Sequence, residues 1–520
     1  MIYRGKVLKL NSWADRHPGG TKAIQHMVGR DASDEMDVYH SQEALRLAAA
    51  FAIGDVDLPW TSFTPPIQGG KFRSLEEIKQ GVPEYGTAAD TDFLDTKTLN
   101  ATGTQLIVDA VEKARKHDVE KYPSLDMDTQ INIQEKFRDL HKELETAGYF
   151  QCNYWGYVRE ATRISILYIL AAAFFALRHR SAWYLVWSGT ALGLAWHQLT
   201  FVAHDAGHLG ITHNYYIDNI VGVLIADFLG GLSIGWWKAN HNVHHIVVND
   251  PEHDPDIQHM PFFAVSPKFL GSVYSTYYEK ILSYDAAARL FISAQHYLYY
   301  PALCFGRFNL YRLSWTYLLL GQGPRKGKAA FLRWFELIGL SVFSYVFFYL
   351  VCTKSLATAK ERWIFILVSH IATTPVHIQI TLSHFGQSTT DMGVQESFAQ
   401  RQVRTTMDVA CPAWLDYIHG GLQFQTIHHL FPRMPRHNFR AVQPRVIEFC
   451  ESLGLNYCIY GFVRGSQSVI DRLYDIAQQA AVFNECNDFC RKELMGIKPS
   501  EGLKLANQVP GSSRVRYNGD

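Results

Sequence analysis

The chain has 520 residues, more than one ordinary domain core accommodates. Lys plus Arg and Asp plus Glu number 49 each, so charge gives no sign of a nucleic acid or a strongly acidic partner. Mean hydropathy is −0.09, but polar ends (1–150 and 385–520) average out long apolar runs between them, and histidine is abundant at 23 residues.

In chain order, residues 1–56 read as a small domain: a strand-like YRGKVLKL, the turn DRHPGG, then charged, helix-compatible sequence. Residues 57–125 read as a linker, with Pro, Gly and Thr and no sustained period. Residues 126–160 are expected to form pre-membrane helices, because Ile133, Phe137, Leu140 and Leu144 recur at spacings of three and four. A membrane domain over 161–465 and a C-terminal helix and tail over 466–520 complete the division. The eight cysteines are scattered, as a reducing compartment leaves them. MIYRGKVLKL lacks the apolar core of a secretory signal, so the membrane address is expected from internal spans.

Spans are predicted at 161–177, 182–203, 331–352 and 363–382, each about long enough for roughly 30 Å of hydrocarbon. The loop charges do not orient them cleanly: Arg178, Arg180, Lys354 and Lys360 fall on the side placed outside the cytosol. A fifth run, Tyr215–Trp237, carries Asp218, Asp227 and Gly230–Gly231, and suits either a span or an interfacial segment. Phe291–Phe305, rich in Tyr, also has an interfacial character.

Three histidine clusters follow apolar runs. HDAGH places His204 and His208 at i and i+4; HNVHH places His241, His244 and His245 at i, i+3 and i+4; QTIHH places Gln425, His428 and His429 likewise. On a helix these spacings share one face, which lets neutral imidazoles converge on a metal. An imidazole site without thiolate suits iron, copper, nickel or zinc. If one centre uses all three clusters, they lie on one side of the membrane. Tyr215–Trp237 is then in-plane or re-entrant, the crossings number four, and both termini are cytosolic. Seven cluster histidines serve two metals loosely, so His384, at the end of the last span, is predicted to join them. His370 and His377 read as packing residues within that run, and His197 as a weaker candidate. Gln425 reads as a weak ligand or a partner of a ligand. Asp205, Asp250, Asp254 and Asp256 are close enough in sequence to accept the other N–H of the ligating rings.

DRHPGG with His17, then His40 in DVYHS and FAIGDV beyond, resembles cytochrome b5. The resemblance implies that His17 and His40 clamp the iron of haem b from both sides, for electron transfer. Met1 stands only sixteen residues before His17, so the domain is expected to lack an opening strand and helix. Such a domain ahead of HxxxH, HxxHH and QxxHH resembles the front-end membrane desaturases. HDAGHLGITHN, GGLSIGWWKANHNVHH and NDPEHDPDIQHMPFF resemble the fungal sphingolipid Δ8 desaturases among them. The fold this implies is mostly α: a polytopic four-helix membrane desaturase with a cytosolic di-iron cap, preceded by a small α+β haem domain. The resemblance further implies two iron ions held by the boxes and a ceramide long-chain base as substrate. A trans C8–C9 double bond, O2, electrons from an NADH-cytochrome b5 reductase and an endoplasmic reticulum membrane are implied with them. An acyl-lipid front-end desaturase and a membrane di-iron hydroxylase are the alternatives, and a haem-binding scaffold or metal sensor is the rival of another class. Trp236 and Trp237 are expected to anchor the interface rather than line a substrate tunnel.

Overall fold

The computed structural model describes residues 1–70, 104–326 and 329–494, and is mostly helical. The first unit is a three-stranded antiparallel sheet, β1 (Ile2–Tyr3), β2 (Lys6–Leu8) and β3 (Ala52–Asp55), in the order β1-β2-β3, with Tyr3 opposite Lys6. The single strand expected from YRGKVLKL is instead a hairpin, because Arg4 and Gly5 turn the chain at φ +49° and +76°. Three short helices lie between β2 and β3: α1 (Thr21–Gln25), α2 (Ser33–Tyr39) and α3 (Gln42–Ala49). Ser41 caps α3 by accepting from the Ala44 N–H.

The expected linker is only partly irregular. Residues 71–103 lie outside the described residues, but α4 (Thr104–Lys121) is a full helix whose Ile107 and Val111 pack on the core beneath. Its apolar positions are too few to show a period. α5 (Met127–Thr146) buries Ile133, Phe137, Leu140 and Leu144, as their spacing predicts, and Asp126 caps it.

The long apolar stretches form two helical hairpins. α6 (Tyr154–Ala176) packs along α7 (Ala182–Gly207), their first turns capped by Asn153 and Ser181. A bent pair follows, α8 (Tyr215–Leu229) and α9 (Ile234–Ile246). Next come α10 (Ala286–Ser293), α11 (Gln295–Leu303) and α12 (Gly306–Leu320), so the interfacial Phe291–Phe305 run is broken between helices. The second hairpin is α13 (Leu332–Lys354) and α14 (Ala359–Leu382), the latter opened by the capping box Thr358/Glu361.

Among the described residues, α13 and α14 are long and apolar enough to cross a membrane, and the α8–α9 pair would qualify as a third if it were one span. The helices expected over 161–177 and 182–203 also form, as α6 and α7, but their composition is less apolar than that of α13 and α14. α6 carries Arg159, Glu160 and Arg163, and α7 carries His197, Gln198, His204 and Asp205. The two hairpins meet over Leu185, Trp196, Leu199, Phe343, Phe347 and Phe365.

α8 and α9 are bent by 116°. Gly231 makes the turn at φ +70°, where a Cβ would lie 2.3 Å from the Phe343 ring, so only glycine fits. Ser233 caps α9, and the Glu336 carboxylate accepts from the Gly235 N–H at 2.9 Å, pinning the turn to α13.

The cap has two cores. One joins α5 to α15 (Phe398–Thr405), α16 (Gln425–Leu430) and α17 (Phe439–Ser452). The other joins residues 257–303 to α18 (Phe462–Leu494), which begins four residues before the expected boundary at 466. A parallel pair, β4 (Asp408–Ala410) with β5 (Ile459–Gly461), ties α18 to the segment before α16.

Candidate metal centre

The bend between α8 and α9 brings the end of α7 and the end of α9 to the same place. His204 on α7 and His208, which caps its end, have ring centroids 5.5 and 5.1 Å from that of His241 on α9. His428 on α16 closes this group, with its centroid 4.4 Å from His204 and 4.7 Å from His208. Each of His204, His208, His241 and His428 offers a nitrogen within 4.8 Å of the others. A second group satisfies the same limit: His244 on α9, His384 just beyond α14, and His429 on α16. His245 lies between them, 4.1 Å from His429 and 4.9 Å from His208 by ring centroids.

All eight predicted histidines are therefore assembled: seven fall in these two groups, His245 lies between them, and His241 and His244 with Asp256 satisfy the same limit across the two. The division follows from helix geometry. His241 and His245 sit four apart on α9, His244 is rotated away, and the adjacent His428 and His429 point to opposite groups. His384 comes from a helix end that sequence spacing alone could not connect to α9.

The nitrogens facing the centre are those that a metal requires. His204 Nε2, His208 Nε2 and His429 Nε2 are buried without a hydrogen-bond partner, and His245 Nε2 lies 3.0 Å from His241 Nε2 and 3.1 Å from His428 Nε2. The opposite ring nitrogens meet acceptors. His244 Nδ1 is 2.8 Å from Asp254 Oδ2, His429 Nδ1 is 2.9 Å from Gln402 Oε1, and His241 Nδ1 is 3.3 Å from Asp256 Oδ2. This is the arrangement of ligating imidazoles, one nitrogen to the metal and the other N–H to an outer acceptor. Burial holds His384, His428 and His429 well below the ordinary histidine value, which keeps them neutral and available as donors. The donor set fits two first-row metal ions bound through imidazole.

Two of the four expected outer aspartates serve, and two are corrected. Asp205 is 3.9 Å from His204 and instead accepts from Arg436 Nε at 2.7 Å and the Tyr157 hydroxyl at 2.6 Å. Asp250 caps its own turn, accepting from the Glu252 and His253 N–H groups. Gln402, on α15 and outside any histidine motif, takes the role unpredicted; nothing local in the sequence distinguishes it. The Gln425 amide nitrogen lies 3.1 Å from His384 Nε2, beside the second group.

The expectation for Trp237 is also corrected. Its ring stacks on His241 at 4.5 Å and 27°, and lies 5.2 Å from His204, so it walls the first group. Trp236, one residue earlier, packs among Tyr317, Leu318 and Leu340. His370 packs in the membrane core, stacked on Phe308 at 4.5 Å, and His197 lies against Phe201 at 4.9 Å. Neither these nor His377 joins a metal-binding group.

In the small domain, His17 follows the Ala14–Arg16 turn and His40 ends α2, with ring centroids 5.9 Å apart. His17 Nδ1 is 3.0 Å from the Gly20 carbonyl and His40 Nδ1 is 3.1 Å from the Met36 carbonyl. Each Nδ1–H is thereby committed, which leaves Nε2 of both rings for an ion between them. Two metal–nitrogen bonds of about 2 Å plus the half-width of each ring require a centroid separation of about 6 Å. Burial lowers His17 and takes His40 down to about 4, so both imidazoles are neutral.

Residues 1–57 match the cytochrome b5-like heme/steroid binding domain, and residues 181–461 match the fatty acid desaturase family. A Delta 8-(E)-sphingolipid desaturase of Komagataella phaffii is 52% identical over 505 residues, 94% of this chain and 92% of the relative. One of Emericella nidulans is 49% identical, covering 95% of this chain and 94% of the relative. A Delta(8)-fatty-acid desaturase of Helianthus annuus is 31% identical, covering 92% and 87%. The chain belongs to the fatty acid desaturase family of membrane proteins, with a cytochrome b5-type haem-binding domain at its N-terminus.

Proposed function

We propose that this chain is a sphingolipid Δ8 desaturase, which introduces a trans C8–C9 double bond into the long-chain base of ceramide. The observation that carries the proposal is the meeting of His204, His208, His241, His244, His245, His384, His428 and His429 in two adjoining groups next to membrane-type helices. The substrate reading is supported by relatives at about half identity over nearly the whole chain, which bear that name.

Two irons fit the two imidazole groups, and haem b fits His17 and His40. When bound, the irons would activate O2 to a species able to break an unactivated C–H bond, which no acid or base on a protein can do. The chain's own residues set the conditions. Asp254, Gln402 and Asp256 orient His244, His429 and His241 by accepting their outer N–H groups. Trp237 packs over the first group, stacked on His241 and beside His204, and holds those rings in place. The buried Arg436–Asp205–Tyr157 contacts hold the His204 end of α7 against the segment after α16. Positioning of the lipid chain selects the bond, since one methylene pair must face the centre.

Electrons come from an NADH-cytochrome b5 reductase through the haem domain. The membrane is that of the endoplasmic reticulum, crossed four times by α6, α7, α13 and α14, with both termini cytosolic. The bend at Gly231 supports an even count, because it returns α9 to the end of α7 from which α8 departs. The test is expression in a yeast lacking this desaturation, with double bonds located in the long-chain bases by mass spectrometry. A trans C8–C9 bond is the expected product. An added oxygen, or a double bond in the acyl chain alone, would refute the reading.

A further inference from the structure

The haem domain is seated on the metal-bearing cap rather than tethered beside it. Met36 of α2 shares a core with Val243 and Ile246 of α9 and with Val247 just beyond it, and Val38 shares another with Phe398, Phe431 and Phe439. Ion pairs hold both flanks: Arg138 Nε to Asp34 at 2.6 Å and Lys22 Nζ to Glu279 at 2.9 Å. A docked, mostly apolar interface fixes the distance between the domain's histidines and those of the cap.

Ring contacts cross that interface at His26, which meets His253 at 5.3 Å, and at Tyr39, which alone of the two reaches a cluster histidine. Tyr39 directly precedes His40 in the chain. Its ring meets the His245 ring edge-on at 6.0 Å, and its hydroxyl donates to the His245 carbonyl at 3.4 Å. His245 is the histidine lying between the two metal groups. A second contact exists on the His17 side, where the Asn242 amide donates to the Gly19 carbonyl at 3.4 Å. That hydrogen bond is as long as the one from the Tyr39 hydroxyl, but it joins two residues that are not themselves histidines of either site, whereas the Tyr39 route is covalent from His40 and then aromatic to His245.

We propose that Tyr39 is the electron bridge between the haem site at His17 and His40 and the metal pair, with entry at His245. The proposal rests on the cofactor reading above. In each transfer one electron leaves ferrous haem iron, which becomes ferric, and one metal ion of the pair is reduced by one electron. No atom moves, and Tyr39 keeps its proton. Two such transfers, with the haem re-reduced between them by the nicotinamide-fed flavin reductase, supply two electrons. The two hydrogens removed from the lipid supply two more, so one O2 leaves as two waters once two protons enter from solvent.

The experiment is stopped-flow reoxidation of the haem in the full-length holoenzyme. The protein is reduced anaerobically with NADH and reductase and then mixed with ceramide and O2. Tyr39→Leu is expected to slow haem reoxidation by about tenfold or more, and Tyr39→Phe to retain most of the wild-type rate. Reduction by the reductase and haem content should be unchanged in both. Val38→Ala loosens the same docked face but keeps the ring, and should reoxidise near the wild-type rate. Hydrogen exchange over residues 33–40 reads docking independently of turnover and should match between wild type and Tyr39→Leu. If the leucine variant loads poorly with haem, Tyr39→Met replaces it with the same expectation. Wild-type reoxidation in the leucine or methionine variant would overturn the bridge, and so would equal slowing in Val38→Ala. A wild-type protein whose haem forms but is never reoxidised by substrate and O2 would instead refute the cofactor reading.

Discussion

Arg436 offers a direct test of how the first and third histidine boxes are held together. Its guanidinium donates to Asp205, the neighbour of His204, at 2.7 Å, and to Glu160 of α6 through Nη2. His437 Nε2 lies 2.8 Å from Glu160, the Tyr157 hydroxyl donates to Asp205 at 2.6 Å, and Arg163 lies 3.8 Å from Glu160. Arg436, Asp205 and Glu160 are all buried. Arg436→Met keeps much of the side-chain volume but strands two buried carboxylates, and removing one partner of a buried pair costs about 3–5 kcal/mol. At about 2 °C per kcal/mol for a large domain, the thermal midpoint in detergent should fall by roughly 5 °C or more. Iron content should fall with it, because His204 is no longer held in register with His428. The triple change E160Q/D205N/R436M removes the stranded charges and should recover part of the lost stability. An Arg436→Met protein with an unchanged midpoint and unchanged iron would refute the reasoning.

Other expectations follow from single contacts. Gly231→Ala should destabilise the chain by about 2 kcal/mol or more, since it combines an unfavourable positive φ with overpacking against Phe343; unaltered thermal unfolding would contradict this. Gln402→Leu removes the acceptor for the outer N–H of His429 and should weaken iron binding by about 10–100-fold in a chelator competition. Asp34 is buried, and burial raises its pKa from 3.8 to about 7 despite Arg138. The folded state therefore binds this proton more tightly than the unfolded chain. The stability it contributes is full below about pH 4 and is lost as pH rises towards 7. Asp34→Asn should flatten that part of the pH–stability profile, and an unchanged slope would contradict the assignment.

Much of this site was legible in the sequence because the requirements for a metal are local. An i, i+3, i+4 spacing on a helix fixes which rings share a face, and the same-side requirement predicted that Tyr215–Trp237 turns back; Gly231 supplies the turn. His384 could be proposed from its depth at the end of an apolar run. The misses have physical causes. Asp205 was assigned to a neighbouring histidine by proximity in sequence, but a buried guanidinium 231 positions away competes more strongly for its charge. Gln402 and Trp237 act through tertiary contacts with no local signature. Helix α4 was missed because most of its surface is polar and exposed.

The proposed chemistry requires that the eight histidines bind two iron ions in adjoining groups. Metal analysis of the purified full-length chain tests it directly, alone and with one ligand removed from either group. Two irons per chain are expected, falling towards one in His384→Ala, whose ring belongs to the second group only. One iron or none in a protein that makes desaturated long-chain bases, or two retained in His384→Ala, would contradict it.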